Sequence, residues 1–221
     1  ADNPDLIMDP AAGTVSLDAG GTAGQQDFRE VTIAGAAGTI VRLDSDLAVD
    51  QTMTIAANGE LDGNGRTLEI GGSWTSNGTF TANNSTVDLQ TASTATISGN
   101  TTFSTLRSTE AGKTLEFAAG STQTAANVEL TGADGNLIRL ISDTGGNAWE
   151  LSYTGTSDTV SFAFIQDSEL LTTSITPSNS TNGGGNDPGG APERDFAAAP
   201  VRRDGGGGDS DWANGDNWNT G

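Results

Sequence analysis

The residues best equipped for chemistry are carboxylates. Asp44, Asp46, Asp50 and Asp62 crowd one stretch of the chain, with Arg42 and Arg66 beside them. Two carboxyl groups about 5–9 Å apart support glycoside hydrolysis. The same residues stand in Gly-, Ser- and Asn-rich turns, where an Asp side chain bonds nearby backbone for structural reasons alone. The turn reading is the stronger one, and no catalytic residue is assigned. Turn Asp and Asn in an acidic chain also suit a weak structural Ca²⁺ site. However, Asp62-Gly63-Asn64-Gly65 lacks the spacing and the terminal Glu of a helix–loop–helix calcium site. In Gly205 to Asp211 the Asp falls out of register with the Gly-Gly-x-Gly-x-Asp calcium repeat, and no tandem copy follows. No metal site and no cofactor is assigned.

Aromatic rings are the second candidate chemistry, because they stack on sugars. Trp74 and Trp149, with Tyr153, are the candidates for binding carbohydrate. Trp74 precedes a turn and is expected to be the most exposed. Phe103, Phe117, Phe162 and Phe164 fall in alternating segments and are expected in the core.

Composition narrows the options. The 221 residues carry 9 Lys+Arg against 29 Asp+Glu, a net charge of −20. That balance leaves no basic patch to track a phosphate backbone, so nucleic-acid binding is not expected. Anionic lipid surfaces repel such a chain, and no apolar run approaches the about 20 residues of a membrane helix, so no membrane insertion is expected. Without Cys or His there are no disulfides, thiol nucleophiles, Ser-His-Asp triads or Cys/His metal sites. The first residue is Ala1 rather than Met, which fits a removed signal peptide, as an arbitrary boundary also does. The expected location is secreted or on the cell surface.

The elements that must position these residues are short strands. Val31-Thr32-Ile33, Ile40 to Leu43, Leu47 to Val49, Met53 to Ile55 and Leu68 to Ile70 read apolar-polar-apolar. So do Val87 to Leu89, Leu115 to Phe117, Val128 to Leu130, Ile138 to Leu140, Trp149 to Tyr153 and Val160 to Phe164. This is the period of a half-buried strand, and Gly, Asn, Asp and Ser fill the gaps. No segment of ten residues carries a helical rhythm. Asp5 to Met8 fits either a helical turn or a strand. A 75-residue repeat is suggested by Phe28 and Phe103, with Met53-Thr54-Ile55 matching Val128-Glu129-Leu130.

Strands this short, with polar corners, favour an all-β parallel β-helix, a solenoid of rungs about 20–30 residues long. The alternative is a β-sandwich. The expected layout is a leader at 1–12 that can be exchanged between molecules, a solenoid at 13–177, a flexible Gly/Asn/Pro-rich linker at 178–208, and a Trp-bearing segment at 209–221.

The stretch Gly71-Gly72-Ser73-Trp74-Thr75-Ser76-Asn77-Gly78-Thr79-Phe80, running into Asn84-Ser85-Thr86-Val87 and Ile97 to Phe103, resembles repeats of large bacterial surface and secreted proteins. These are of the adhesin or filamentous-haemagglutinin-like β-helix kind. Leu61-Asp62-Gly63-Asn64-Gly65-Arg66-Thr67-Leu68 is similar to a rung of pectin-lyase-like right-handed β-helices. The resemblance covers most of Gly13 to Asn186 and implies architecture, not activity. Pectin-lyase-like folds also host polysaccharide lyases and hydrolases, the least favoured reading here. The favoured reading is a non-catalytic extracellular subunit that self-assembles head to tail into a fibre, sheath or surface layer. Its expected partner is itself, through Leu6, Ile7, Met8, Trp212 and Trp218. The alternative is a carbohydrate-binding adhesin or stalk module, with a polysaccharide or cell surface as partner.

Overall fold

In the computed structural model, residues 3–20, 27–91, 93–155, 158–172 and 174–187 are described, with the backbone of 202–203 and 218–219. Every element among them is a strand. The first turn holds β1 (Leu6–Met8), β2 (Thr14–Leu17) and β3 (Asp27–Phe28). The second holds β4 (Val31–Ile33), β5 (Ile40–Leu43) and β6 (Leu47–Val49). The third holds β7 (Met53–Ile55), β8 (Glu60–Asp62) and β9 (Thr67–Ile70), and the fourth β10 (Trp74–Ser76), β11 (Thr79–Thr81) and β12 (Thr86–Leu89). Turns five and six have two longer strands each: β13 (Thr94–Ser98) with β14 (Thr101–Ser108), then β15 (Thr114–Phe117) with β16 (Thr122–Thr131). Next come β17 (Ile138–Ser142), β18 (Trp149–Tyr153) and β19 (Asp158–Ser161). β20 (Ala163–Ile165), β21 (Ser168–Leu170) and β22 (Thr181–Asn182) close the stack. The last two strands, β23 (Arg202–Arg203) and β24 (Trp218–Asn219), pair antiparallel with each other.

Each strand of the stack pairs in parallel with its counterpart one turn away, giving a β-solenoid of about seven turns. Sheet I runs β1-β4-β7-β10-β13-β15-β17-β20-β22. Sheet II runs β2-β5-β8-β11, and sheet III runs from β3 to β21. Sheet II ends at the fourth turn because β14 and β16 straighten the corner between sheets II and III. The solenoid expectation holds and the sandwich does not, since a sandwich needs antiparallel neighbours.

The period-2 pattern explains the core. In sheet I, Leu6, Val31, Met53, Trp74, Ile97 and Phe117 stack in one inward row. In sheet III, Leu47, Leu68, Val87, Leu106 and Val128 do the same. The outward rows are polar: Thr32-Thr54-Thr75-Ser98 on sheet I and Thr67-Thr86-Thr105-Asn127 on sheet III. Stacked threonines fit a pleated, half-buried surface, and hydroxyl residues in these rows bond each other, as Ser98 Oγ does to Thr75 Oγ1 at 3.2 Å. One corner shows why glycine is required. Gly99 has φ +80°, and a Cβ there would lie 1.8 Å from the Ser76 carbonyl oxygen of the turn below.

Four expectations change. The 75-residue repeat is not the structural one, since Met53 lies on sheet I while Val128 lies on sheet III. The unit is one turn: Val49, Ile70, Leu89, Ser108 and Leu130 occupy equivalent places. Phe162 and Phe164 are half-buried rather than core, because Ala163 and Ile165 take the inward phase of β20. The solenoid begins at Leu6, within the expected leader, with β1 pairing β4 of the same chain. It also extends past Ser178, where the linker was expected to begin, because Thr181–Asn182 pair with β20.

Candidate functional site

The two ends of the stack differ. At the head, Leu6 and Met8 point inward against Val31 and Ile33, yet both are only half-buried. Val15 and Phe28, at the heads of the other two sheets, are also incompletely covered. The equivalent residues one turn down, Val31, Ile33 and Val41, are fully buried. Ile7 points outward and is 70 % exposed. An Asp5–Arg29 ion pair ties the entry of β1 to the second turn.

At the tail the apolar rows are closed. Ile165, Leu170 and Ile175 are each 1 % exposed. Polar side chains cover the strand edge: Asn186 Oδ1 accepts from Ser168 N at 3.1 Å, and Asp187 Oδ1 accepts from Leu170 N at 2.8 Å. Leu171, beside them, is 41 % exposed. Among the described residues, the exposed large apolar side chains are Ile7, Val15 and Leu171. All three belong to the terminal turns. Of the expected interface residues, Leu6, Ile7 and Met8 are therefore at an end of the stack. Trp212 lies outside the described residues, and only the backbone of Trp218 is described.

The carboxylates do not converge. Asp62 is next to Arg42 in register on sheet II, and Arg42 Nη2 lies 2.9 Å from Asp44. The Ser16 hydroxyl foremost, with Arg42 and Arg66, holds the Asp44 carboxyl below the usual range against the opposing effect of burial. Asp46 Oδ1 accepts from Thr67 N, and Asp62 Oδ1 accepts from Asn64 N at 2.9 Å and from Asn83 Nδ2 at 2.8 Å. Asp50 sits at a different corner, accepting from Asn3 at 2.6 Å. The Asp62–Asn64 bond is a local Asx turn, and the others tie different turns of the stack together. Among the described residues, no three Asp or Glu form a group able to hold a metal ion.

The expected sugar platforms are corrected by burial. Trp74 is 0 % and Trp149 1 % exposed. Trp74 stands edge-on to Phe80 at 5.0 Å, and its Nε1 donates to Thr101 Oγ1 at 3.0 Å. Trp149 stacks on Phe117 at 3.8 Å. Rings buried this completely present no face to a saccharide. Tyr153 is buried too.

Sequence reasoning passed over Lys113, the only lysine. It is fully buried and donates from Nζ to the carbonyls of Gln90 at 2.7 Å and Thr91 at 3.0 Å, one turn below. Burial lowers its pKa from 10.5 to about 8, although Glu110 and Asp88 favour the charge. Burial also pushes the Asp88 carboxyl up, only partly offset by Gln90 and Arg107. A signal was present: Lys113 shares the inward phase of Leu115 and Phe117. Beside this corner, Ala48, Val49, Asp50, Glu69, Gly71, Gln90 and Thr91 line a groove of about 410 Å³.

Comparison with protein-family models, with curated proteins and with solved structures finds no match. What the chain's structure establishes is its architecture, a parallel β-solenoid of about seven turns whose head is incompletely covered, and whose tail is polar-capped, among the described residues.

Proposed function

We propose that this chain is a non-catalytic structural subunit that assembles head to tail into an extracellular fibre, sheath or surface layer. In this reading it is a bacterial surface or secreted protein of the adhesin or filamentous-haemagglutinin-like kind. The observation that carries the reading is the confinement, among the described residues, of exposed large apolar side chains to the terminal turns. The sides of the stack carry threonine rows and an excess of acid, and a charge of −20 opposes side-by-side contact at low salt. End contact is the geometry left. Strand stacking from the head of one copy onto the tail of the next is a heterologous contact, and one that does not close makes a filament.

The carbohydrate-binding alternative is favoured by a different observation, the groove with Asp50, Glu69, Gln90 and Thr91 on its walls. It no longer has an aromatic platform. Negative-stain electron microscopy of the purified 221-residue chain, with and without Ca²⁺, separates the two. Regular filaments are expected. Single short rods at every concentration would overturn the assembly reading, and retention on a polysaccharide column by those rods would support the groove.

A further inference from the structure

We propose that residues 181–187 are an internal stand-in for the next turn, holding the acceptor edge that a second copy must take over to dock its β1. The inference rests on the end-to-end reading above and names where that contact forms and what controls it.

The tail edge is closed by mimicry rather than by a full strand. Thr181 and Asn182 pair with Phe164 and Ile165 of β20, and both are exposed. On β21 the ladder N–H groups of Ser168 and Leu170 are met by side chains, and the Ser168 carbonyl by backbone. Ser168 N and Oγ both donate to Asn186 Oδ1, Leu170 N donates to Asp187 Oδ1, and Asp187 N donates to Ser168 O at 2.6 Å. Asn186 Nδ2 reaches the Ile165 carbonyl at 2.8 Å, and Asp167 N donates to Gly184 O at 3.0 Å. Backbone polarity is thus satisfied. Apolar continuity is not. One inward row of sheet I reads Ala95-Leu115-Leu140-Ile165 and then meets Asn182. An amide in that place ends the core.

The head of a second copy carries what that row lacks. β1 alternates Leu6 in, Ile7 out, Met8 in, the same phase as Ala163, Phe164 and Ile165. Laid in parallel on β20, it sets Leu6 and Met8 over Ala163 and Ile165. Exposed Ile7 then falls beside Phe164, whose ring already lies 4.2 Å from the Arg139 guanidinium carbon. The stand-in is two strand residues long, so exchange for three residues with two inward apolar side chains is favourable.

The test uses a fluorescent peptide spanning Asn3 to Ala11, titrated against the full chain and against its Asn186→Ala/Asp187→Ala variant at physiological salt. Circular dichroism confirms that the variant keeps its β signal. Loss of the side-chain bonds is expected to tighten peptide binding by at least about tenfold. An Ile7→Asp peptide is expected to bind neither. The single variants Asn186→Ala and Asp187→Ala are expected to fall between, which keeps the test decisive should the double variant not fold. Equal affinity for parent and folded variants, or weaker binding to the variants, overturns the proposal. Light scattering of the same proteins separates the two readings. Tighter peptide binding with no filaments in either protein keeps the stand-in and sinks end-to-end assembly. Filaments growing equally fast in both, with unchanged peptide affinity, sink the stand-in alone.

Discussion

The buried ammonium of Lys113 makes stability rise with pH where most proteins lose it. Its pKa falls from 10.5 to about 8 on folding. At about 1.4 kcal/mol per unit, the charged form is about 3 kcal/mol less favourable in the folded chain than in the unfolded one. Below pH 8 both states hold the proton, and the native state carries the whole penalty. Between pH 8 and 10.5 the unfolded chain keeps a proton that the native chain has released, so stability climbs by about 3 kcal/mol. The neutral amine still donates to the Gln90 and Thr91 carbonyls. The window is unusually clean, since the chain has no His, no Cys and no second Lys. Lys113→Met keeps the length and apolar stem and removes both charge and donors. The two abandoned carbonyls cost about 1–3 kcal/mol each. Parent and variant should therefore lie within about 3 kcal/mol of each other at pH 7, and the parent should gain on the variant as pH rises. Urea unfolding followed by Trp fluorescence from pH 7 to 10.5 measures this. Contributions from Tyr153 and the chain termini are common to both proteins and cancel in the difference. A parent-minus-variant difference that stays flat or falls across the window would refute the argument.

Other substitutions probe separate parts of the structure. Trp74→Ala should lower stability by about 3–5 kcal/mol in thermal or urea unfolding, because it empties the ring cluster and leaves Thr101 without its indole donor. Asp88→Asn should raise neutral-pH stability, because an amide escapes the penalty that burial places on the carboxylate charge. That gain should vanish as pH falls through the raised pKa of the parent carboxyl, since protonation then relieves the same burial penalty. Gly99→Ala should be destabilising by more than about 1–3 kcal/mol, since positive φ and a clash with the Ser76 carbonyl act together. Ile7→Asp should suppress filaments under the electron microscope while leaving the circular-dichroism spectrum unchanged.

The strands were legible because each turn repeats the same alternation, and their shortness pointed to rungs rather than hairpins. Three residues, however, do not say which phase is inward. Trp74 precedes a turn, which suggests exposure. In the structure its phase is that of Met53 and Ile97 in the neighbouring turns, and the ring is buried. The rung length follows from the solenoid expectation, but the residues that are equivalent from rung to rung are not legible, for a related reason. Val49, Ile70, Leu89, Ser108 and Leu130 are equivalent in space and differ in identity. Packing selects for volume and apolarity, so self-comparison by residue type finds chance matches such as Phe28 with Phe103. Lys113 was invisible for the opposite reason: a lone charged residue reads as surface unless its phase within Lys113-Thr114-Leu115-Glu116-Phe117 is followed.

The two ends of the solenoid answer one physical problem differently. A terminal turn has a neighbour on one side only, so half its ladder groups and one face of its inward side chains need another partner. At the tail, Asn182, Asn186 and Asp187 supply hydrogen bonds without extending the apolar rows. At the head, Leu6, Met8, Val15 and Phe28 remain incompletely covered among the described residues. Side chains of this kind gain about 25 cal/mol for each Å² removed from water. Polar caps gain little from a second copy, whereas apolar rows do, so any further turn placed on the head is held chiefly by burial. The same step at the tail must first release hydrogen bonds. If copies associate end to end, the head therefore supplies the driving force and the tail sets the barrier, and the polarity of growth follows from three amide and carboxylate side chains.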